Sequence, residues 1–559
     1  MTYHLRQGIK NIPEICSRFG IEKAIISPGS RNAPLIFAFT EHSHIECLSI
    51  TDERSAGYFA IGVIQQTNRP VAIICTSGTA TLNFAPAIAE AYYRNFPLVV
   101  FTADRPPEMI DQADGQTLRQ NNIYANYIKA AFETPVETVS RVDLTFSDRQ
   151  VSQAIDTALS FPQGPVQINI PLREPVYAPL PEKHSNPKII KTITSEINTT
   201  DEMIRKLQEK WLICKRKLVI FGILPKDETM ADWARQLAKQ PDVVVVCENL
   251  SNIAGQNIIS QPESLFSRIN SKEANDEFIP ELLITVGHSV ICKQLKIFLR
   301  KNQAEEQWQS QSSLPYVDTY GSLTSIVPFE AVKVFDNMPL DRVKSDFAKT
   351  YHLEANIVSK LHNEFVAGAS LSDMSVTAEL LQQIPSGATL QLANSTSVRW
   401  VQLFSTRNDI TYLCNRGVSG IDGSLSTAAG YAFCSEKMTV LLTGDLSFIY
   451  DSNALWNNYI GTNLKIVVMN NNGGNIFRFI GDKELMKNSI DYFTTPHNVK
   501  IASLVEAYGL RYLSCDKTED LKSKIETLLL SEQATVLEVF TDSNLNTENY
   551  TGYFENIKR

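Results

Sequence analysis

The sequence predicts an α/β protein of three domains, each with a central, mainly parallel sheet flanked by helices. Three observations carry that expectation. A chain of 559 residues exceeds what one hydrophobic core supports, so two to four domains are expected. Short apolar runs recur between helix-like stretches, the pattern of βαβ units. Most runs are continuous rather than alternating, as strands buried on both faces of a parallel sheet require.

In chain order, Lys23–Ile26, Val71–Cys75, Pro97–Thr102 and Val166–Ile170 read as strands of a first domain over residues 1–180. The stretch YAPLPEKHSNPK (177–188) is polar and proline-bearing, and reads as a linker. Lys217–Phe221, Val243–Cys247 and Glu281–Val286 supply strands for a central domain over 190–365, where residues 301–315 are expected to form a loop or short surface helix. Leu390–Ala393, Thr411–Cys414, Thr439–Thr443, Leu464–Met469 and Thr535–Val539 belong to a third domain over 370–559.

Bulk properties exclude several function classes. Hydrophobic content of 43% and charge content of 20% fit an ordinary soluble enzyme. A net charge of −9 without a long basic run argues against general nucleic-acid binding. Any anionic substrate must then be met by locally placed arginines. The nine cysteines form no CxxC pair, so neither a disulfide framework nor a zinc site is indicated. No apolar run approaches the roughly 20 residues of a membrane helix. The start MTYHLRQGIKNIPEIC lacks a signal-peptide core, and a cytoplasmic location is expected.

The chemistry gathers in the turns that follow strands. SPGSRNAPL (27–35) allows close backbone approach to a ligand, and Arg31 could clamp a carboxylate or simply be a solvated turn residue. In SITDERSAGYFAIG (49–62), Asp52 can cap a helix, and Glu53 is either chemistry or a favourable charge in its first turn. TSGTA (76–80) is a further small-residue turn, followed by a helix from Leu82 to Tyr92 and by ADRP, which holds Arg105. QLANSTSVRW (391–400) places Asn394, Ser395 and Ser397 after a strand, with Arg399 one turn on. NRGVSGIDGSLSTAAGYA (415–432) is a loop opening into a small-residue helix whose free N–H groups can cradle a diphosphate. Finally, Gly444-Asp445 and Asn470–Gly474 each stand just past a strand. A carboxylate with amide and carbonyl oxygens at strand ends suits Mg²⁺, which also takes phosphate oxygens. The bland alternative is that Asp445 caps a helix.

Together and in this order, the motifs resemble the thiamine-diphosphate (ThDP)-dependent 2-oxo acid enzymes, and within them the menaquinone-pathway branch. The family signature GDG…NN reads Gly444-Asp445-Leu446 and Asn470-Asn471 here, with leucine for the third-position glycine. The series SPGSR, TDER, TSGTA, ADRP, NRGVSGIDG and NNNGGNIF extends the likeness over nearly the whole chain. The resemblance implies a ThDP-binding fold in the first and third domains and a Rossmann-like middle one. It implies Mg²⁺ or Mn²⁺ held by Asp445, Asn471 and the Gly473 carbonyl, with Ser395, Leu446 and Ser447 also at the cofactor. Glu53 would be the catalytic acid facing the pyrimidine ring, and Ile421 the apolar prop that bends the cofactor.

The implied reaction is decarboxylation of 2-oxoglutarate and 1,4-addition of the resulting carbanion to isochorismate. Ser30, Arg31, Arg105, Gln116, Lys293, Arg399 and Arg416 would meet the substrates, with Ile476 and Phe477 as an apolar wall. Two positions depart from the family: Gln294 replaces an arginine and Gly115 an asparagine. The resemblance also implies a homodimer or homotetramer whose sites join Glu53 of one protomer to Asp445 of its partner. The alternatives are an acetolactate-type ThDP enzyme, a non-catalytic ThDP-binding protein, and a metal-dependent phosphatase or nucleotide-binding protein. The last would leave TDER and the paired asparagines unexplained.

Overall fold

The computed structural model describes residues 5–193, 201–272, 275–310, 316–327, 335–340, 343–481, 483–486 and 488–559. It contains three six-stranded parallel sheets flanked by helices. The first holds β1 (Lys23–Ile26), β2 (Glu46–Ser49), β3 (Val71–Cys75), β4 (Leu98–Asp104), β5 (Ala131–Glu133) and β6 (Val166–Pro171), in the order β2-β1-β3-β4-β6-β5. The second holds β7 (Lys217–Phe221), β8 (Val243–Cys247), β9 (Ile258–Ile259), β10 (Leu282–Val286), β11 (Glu306–Ser310) and β12 (Ser325–Val327), ordered β12-β11-β10-β7-β8-β9. The third holds β13 (Thr389–Leu392), β14 (Thr411–Cys414), β15 (Thr439–Gly444), β16 (Leu464–Asn470), β17 (Arg511–Cys515) and β18 (Thr535–Phe540), ordered β14-β13-β15-β16-β18-β17.

The continuous runs became strands because every residue of β3, β4, β6, β7 and β8 is buried. Apolar, largely β-branched side chains on both faces satisfy helices packed on both sides. The stretch 301–315 differs from expectation. It carries β11, which pairs with β10 along its whole length and buries Trp308. Its sequence EQWQS is too polar to read as a buried strand, yet tertiary pairing decides; residues 311–315 lie outside the described residues. The helix expected over 82–92 is two helices, Thr79–Asn83 and Ala85–Arg94. Pro86 stands in the first turn of the second, where its missing N–H is tolerated but would break a continuous ladder.

Two compact units divide the chain. One spans residues 1–194, 415–439 and 447–464. Its sheet core is built from residues such as Ile25, Ile74, Phe101 and Ile168. In it the helices Glu53–Thr67 and Ser424–Cys434 lie backbone against backbone. A Cβ on Gly62 would fall 2.0 Å from the Thr427 carbonyl oxygen, and one on Gly430 2.0 Å from that of Phe59. Only glycine fits at either position. The other unit spans residues 195–414, 440–446 and 465–559 and contains the second and third sheets. There the edge strand β14 is held by Asn252, which receives Tyr412 N–H at 2.7 Å and donates to the Tyr412 carbonyl at 3.1 Å. Among the described residues, no helix is long and apolar enough to cross a membrane.

Candidate functional site

In the third sheet, β15 and β16 are neighbours, and both end at the same edge. Asp445 follows β15 with only 2% of its surface exposed. Its Oδ2 accepts Gly473 N–H at 2.8 Å and its Oδ1 accepts Leu446 N–H at 2.7 Å. His497 Nε2 lies 3.3 Å from Oδ2. Burial pushes the Asp445 carboxyl up, while those two backbone donors and His497 pull it back. Asn471 follows β16 and is 6% exposed. Its Nδ2 donates to Asp373 Oδ2 at 2.9 Å, which fixes the amide's orientation. The other end, Oδ1, is buried with no hydrogen-bond partner among the described residues. Gly473 has φ +137, and a Cβ there would sit 2.3 Å from the Thr494 carbonyl oxygen. The donor set of one carboxylate, one unsatisfied amide oxygen and one loop carbonyl fits a hard divalent cation. It offers none of the thiolates that soft metals select, and no cluster of three His, Cys, Asp or Glu occurs among the described residues.

The same unit holds further expected residues. Ser395 adopts φ 70, ψ −123 at the start of the Thr396–Val401 helix, a conformation unusual outside glycine. Lys293 and Arg399 line one small cavity of about 60 Å³ with Glu263, Gln402 and Tyr550. Gln294 is not among its lining residues; its side-chain oxygen accepts Asn270 Nδ2 at 3.1 Å. Ile476 and Phe477 open the helix Ile476–Ile480, and Phe477 lines a larger cavity of about 500 Å³ with Arg478, Met486 and Ile490.

The other unit presents the remaining residues. Asp52 caps the Glu53–Thr67 helix by accepting Ser55 N–H at 2.9 Å. Its other oxygen accepts Asn453 Nδ2 at 2.7 Å. Glu53 is half-buried, and its Oε2 accepts Asn83 Nδ2 at 3.4 Å. Arg54 donates to the Tyr450 carbonyl at 2.7 Å, and Tyr58 Oη donates to Asp422 Oδ2 at 3.1 Å. Ser55 and Ser426 hydroxyls meet at 3.0 Å, and Ser426 donates to the fully buried Asp451, whose carboxyl burial pushes up to about 7. Ile421 is exposed, and its carbonyl accepts Ser447 Oγ–H at 2.6 Å. Arg416 stands at the start of the same loop.

Arg31 is more deeply engaged than a solvated turn residue. It is 4% exposed, donating to the Leu172 carbonyl at 2.9 Å and to Glu174 Oε1 at 2.8 Å. A guanidinium has five N–H donors, so these two bonds leave capacity for a ligand. Arg105 pairs with Asp114 at 3.0 Å and donates to the Gly115 carbonyl at 2.8 Å. Ser30 and Gln116 are exposed, and Gln116 has φ 56. Sequence reasoning missed Asp373, His497 and Asp451. No local pattern marks them, since each acts on a residue 25 to 98 positions away.

The fold and its strand-end turns define an α/β enzyme class built on a diphosphate-bearing cofactor. Residues 6–124 match the thiamine pyrophosphate enzyme, N-terminal TPP binding domain, and residues 394–539 match the corresponding C-terminal TPP binding domain. The chain is 38% identical to the 2-succinyl-5-enolpyruvyl-6-hydroxy-3-cyclohexene-1-carboxylate synthase of Flavobacterium psychrophilum, across 98% of both chains. It is 36% identical to the same synthase of Desulfotalea psychrophila, over 96% of this chain and 98% of the relative. For the Bacteroides fragilis synthase the identity is 34% over 100% of both. The chain belongs to the 2-succinyl-5-enolpyruvyl-6-hydroxy-3-cyclohexene-1-carboxylate synthase family of thiamine pyrophosphate enzymes.

Proposed function

We propose that the chain converts 2-oxoglutarate and isochorismate to 2-succinyl-5-enolpyruvyl-6-hydroxy-3-cyclohexene-1-carboxylate and carbon dioxide, with ThDP anchored by Mg²⁺ or Mn²⁺. The observation that carries this reading is the buried Asn471 Oδ1, oriented through Asp373 and left unsatisfied just past β16, the neighbour of the strand that Asp445 follows. Buried polar atoms are almost always paired, so a prepared orphan oxygen points to a ligand. Asp445, Asn471 and the Gly473 carbonyl would hold the cation. Ser395, Leu446, Ser447 and the first turn of the Ser424–Cys434 helix would lie along the diphosphate.

ThDP, when bound, would supply the nucleophilic carbon and the electron sink that decarboxylation of a 2-oxo acid needs. Glu53 has the narrower task of sharing a proton with the pyrimidine ring, general acid–base help worth roughly 10²–10⁴ in rate. Ile421 would press on the cofactor from the apolar side. Both substrates are dicarboxylates, and buried carboxylates need cationic partners. Arg31, Arg105, Lys293, Arg399 and Arg416 would meet them, with Ser30 and Gln116 as polar company, while Ile476 and Phe477 exclude water.

The sites would form across a dimer boundary, Glu53 from one protomer and Asp445 from its partner, in a homodimer or within a tetramer. Beyond the resemblance, this is supported by large apolar side chains left exposed close in sequence to the site motifs: Leu82, Val418, Ile421, Tyr450 and Trp456. The test is carbon dioxide release by the purified enzyme with ThDP and Mg²⁺. Release from 2-oxoglutarate that rises on adding isochorismate supports the reading. Faster release from pyruvate than from 2-oxoglutarate overturns it in favour of an acetolactate-type enzyme.

A further inference from the structure

The loop 415–423 carries both Arg416 and Ile421, yet contains no regular structure to aim them. Side-chain hydrogen bonds hold its outer parts. Asn415 Nδ2 donates to Thr427 Oγ1 at 2.8 Å, Ser447 to the Ile421 carbonyl, and Tyr58 to Asp422. The stretch between Arg416 and Ile421 is held by a different kind of group. Gly417 N–H donates to Glu90 Oε1 at 2.7 Å, and Val418 N–H to Glu90 Oε2 at 2.8 Å. Glu90 lies within the Ala85–Arg94 helix and is 1% exposed.

An ionised carboxylate in such surroundings is expensive unless its hydrogen bonds are made. Here burial pushes the carboxyl up, while Arg94, the two backbone donors and Arg416 pull it back. The contact is also close. A Cβ on Gly417 would lie 2.7 Å from the Glu90 carbonyl oxygen and 2.8 Å from Oε2, so helix and loop meet with no room for a side chain. A carboxylate is the one side chain that offers two equivalent acceptors to two successive peptide groups. Accepting both fixes the planes of those peptides, and so the direction in which the chain leaves toward Arg416 and toward Ile421.

We propose that Glu90 is a positioning residue for the synthase reaction: its buried carboxylate sets the loop conformation that presents Arg416 to substrate and Ile421 to the cofactor. The inference rests on the reading of Arg416 and Ile421 as site residues.

The experiment compares Glu90→Gln, Gly417→Ala and Arg416→Ala in the full-length enzyme loaded with ThDP and Mg²⁺, reading kcat and KM for each substrate. Glutamine keeps the shape but offers one acceptor, so one N–H would face an amide NH₂. Glu90→Gln is expected to raise KM for a dicarboxylate substrate roughly tenfold and to lower kcat, following the loss of one charge-assisted bond. Gly417→Ala, which pushes the same contact from the loop side, is expected to give the same signature even where Glu90→Gln folds poorly. Arg416→Ala should raise the same KM. A lower kcat with every KM unchanged, in proportion to the folded fraction, would mean a purely structural role and overturn the proposal. So would wild-type kinetics in both Glu90→Gln and Gly417→Ala while Arg416→Ala raises KM. An Arg416→Ala enzyme with unchanged KM overturns instead the placement of Arg416 at the substrate.

Discussion

The first and third sheets can be laid over one another strand for strand, since both run second-first-third-fourth-sixth-fifth in their own numbering. Even a polar pair between the fourth and sixth strands corresponds. On β4, Asp104 accepts Asn169 Nδ2 of β6 at 2.9 Å; on β16, Asn470 Nδ2 donates to Glu538 of β18 at 2.6 Å. Asn169 pairs in register with Thr102 and Glu538 with Val468, each two residues before its partner's end of the strand. Acid and amide have simply changed places. The turns after the second, third and fourth strands then diverge in chemistry. In the first sheet they carry Glu53, Thr76–Gly78 and Arg105; in the third, Arg416–Ile421, Asp445 and Asn471–Gly473. The first set offers a half-buried acid and one arginine, suited to proton transfer and a carboxylate. The second also has an arginine, Arg416, but adds the buried oxygens of Asp445 and Asn471, suited to a cation. The scaffold fixes where ligands can sit, and the turn residues decide which ligand.

If that division of labour holds, lesions on the two sheets fail in different ways. Glu53→Gln should lower turnover by roughly 10²–10⁴, as loss of a general acid–base does, while ThDP stays bound. Exchange of the thiazolium proton, followed by NMR, checks the assignment; near-normal exchange in the variant would sink it. Asp445→Ala and Asn471→Ala should instead weaken ThDP binding in the presence of Mg²⁺, by at least the roughly 10–100-fold that loss of even an outer-shell partner of a metal costs. Unchanged affinity by titration calorimetry would move the metal site elsewhere.

Mixing the Glu53→Gln and Asp445→Ala proteins asks whether the two halves meet across a dimer boundary. The residues flanking Glu53 are tied to Asn453, Tyr450 and Asp422 within their own chain, so the question is a sharp one. Statistical subunit exchange should restore about a quarter of wild-type activity, because half the dimers are mixed and half their sites carry no lesion. Verified exchange without recovery would place both residues in one chain's site.

The smallest expected effect concerns the exchanged acid and amide. Burial pushes the Asp104 carboxyl up to about 6 from a usual value of 3.8, against the bonds from Asn169 and the Arg105 N–H. The folded protein therefore holds that proton where the unfolded chain has lost it. Stability from this group is full below the unfolded value and is lost as pH rises through about 6. Asp104→Asn, which copies the third sheet, should gain on wild type by about 2 kcal/mol between pH 4 and pH 7, with partial solvent screening holding it below the full shift. Urea unfolding at the two pH values measures this, and a pH-independent difference between the proteins would refute it.

Much of this was readable beforehand, for reasons tied to particular residues. VAIIC and VVVVC can only be strands buried on both faces, and the turn motifs after them are local in sequence. β11 was not readable, because EQWQS is buried by its neighbours rather than by its own composition. The engagement of Arg31 by Leu172 and Glu174 was equally hidden, since those partners lie 141 and 143 positions away. The same holds for the orientation of Asn471 by Asp373 and for the nearness of His497 to Asp445. Sequence patterns report which side chains stand at a strand end, but not which distant groups will hold them there.

The glycine contact between the Glu53–Thr67 and Ser424–Cys434 helices has one more consequence. Gly62 rests on the turn containing Thr427, three residues before Gly430, and Gly430 rests on Phe59, three residues before Gly62. Each helix thus gives the other what it receives, which is how two copies of one chain meet about a two-fold axis. The two helices share a local two-fold seam inside one chain, and a side chain added at either glycine would drive the same pair of backbones apart.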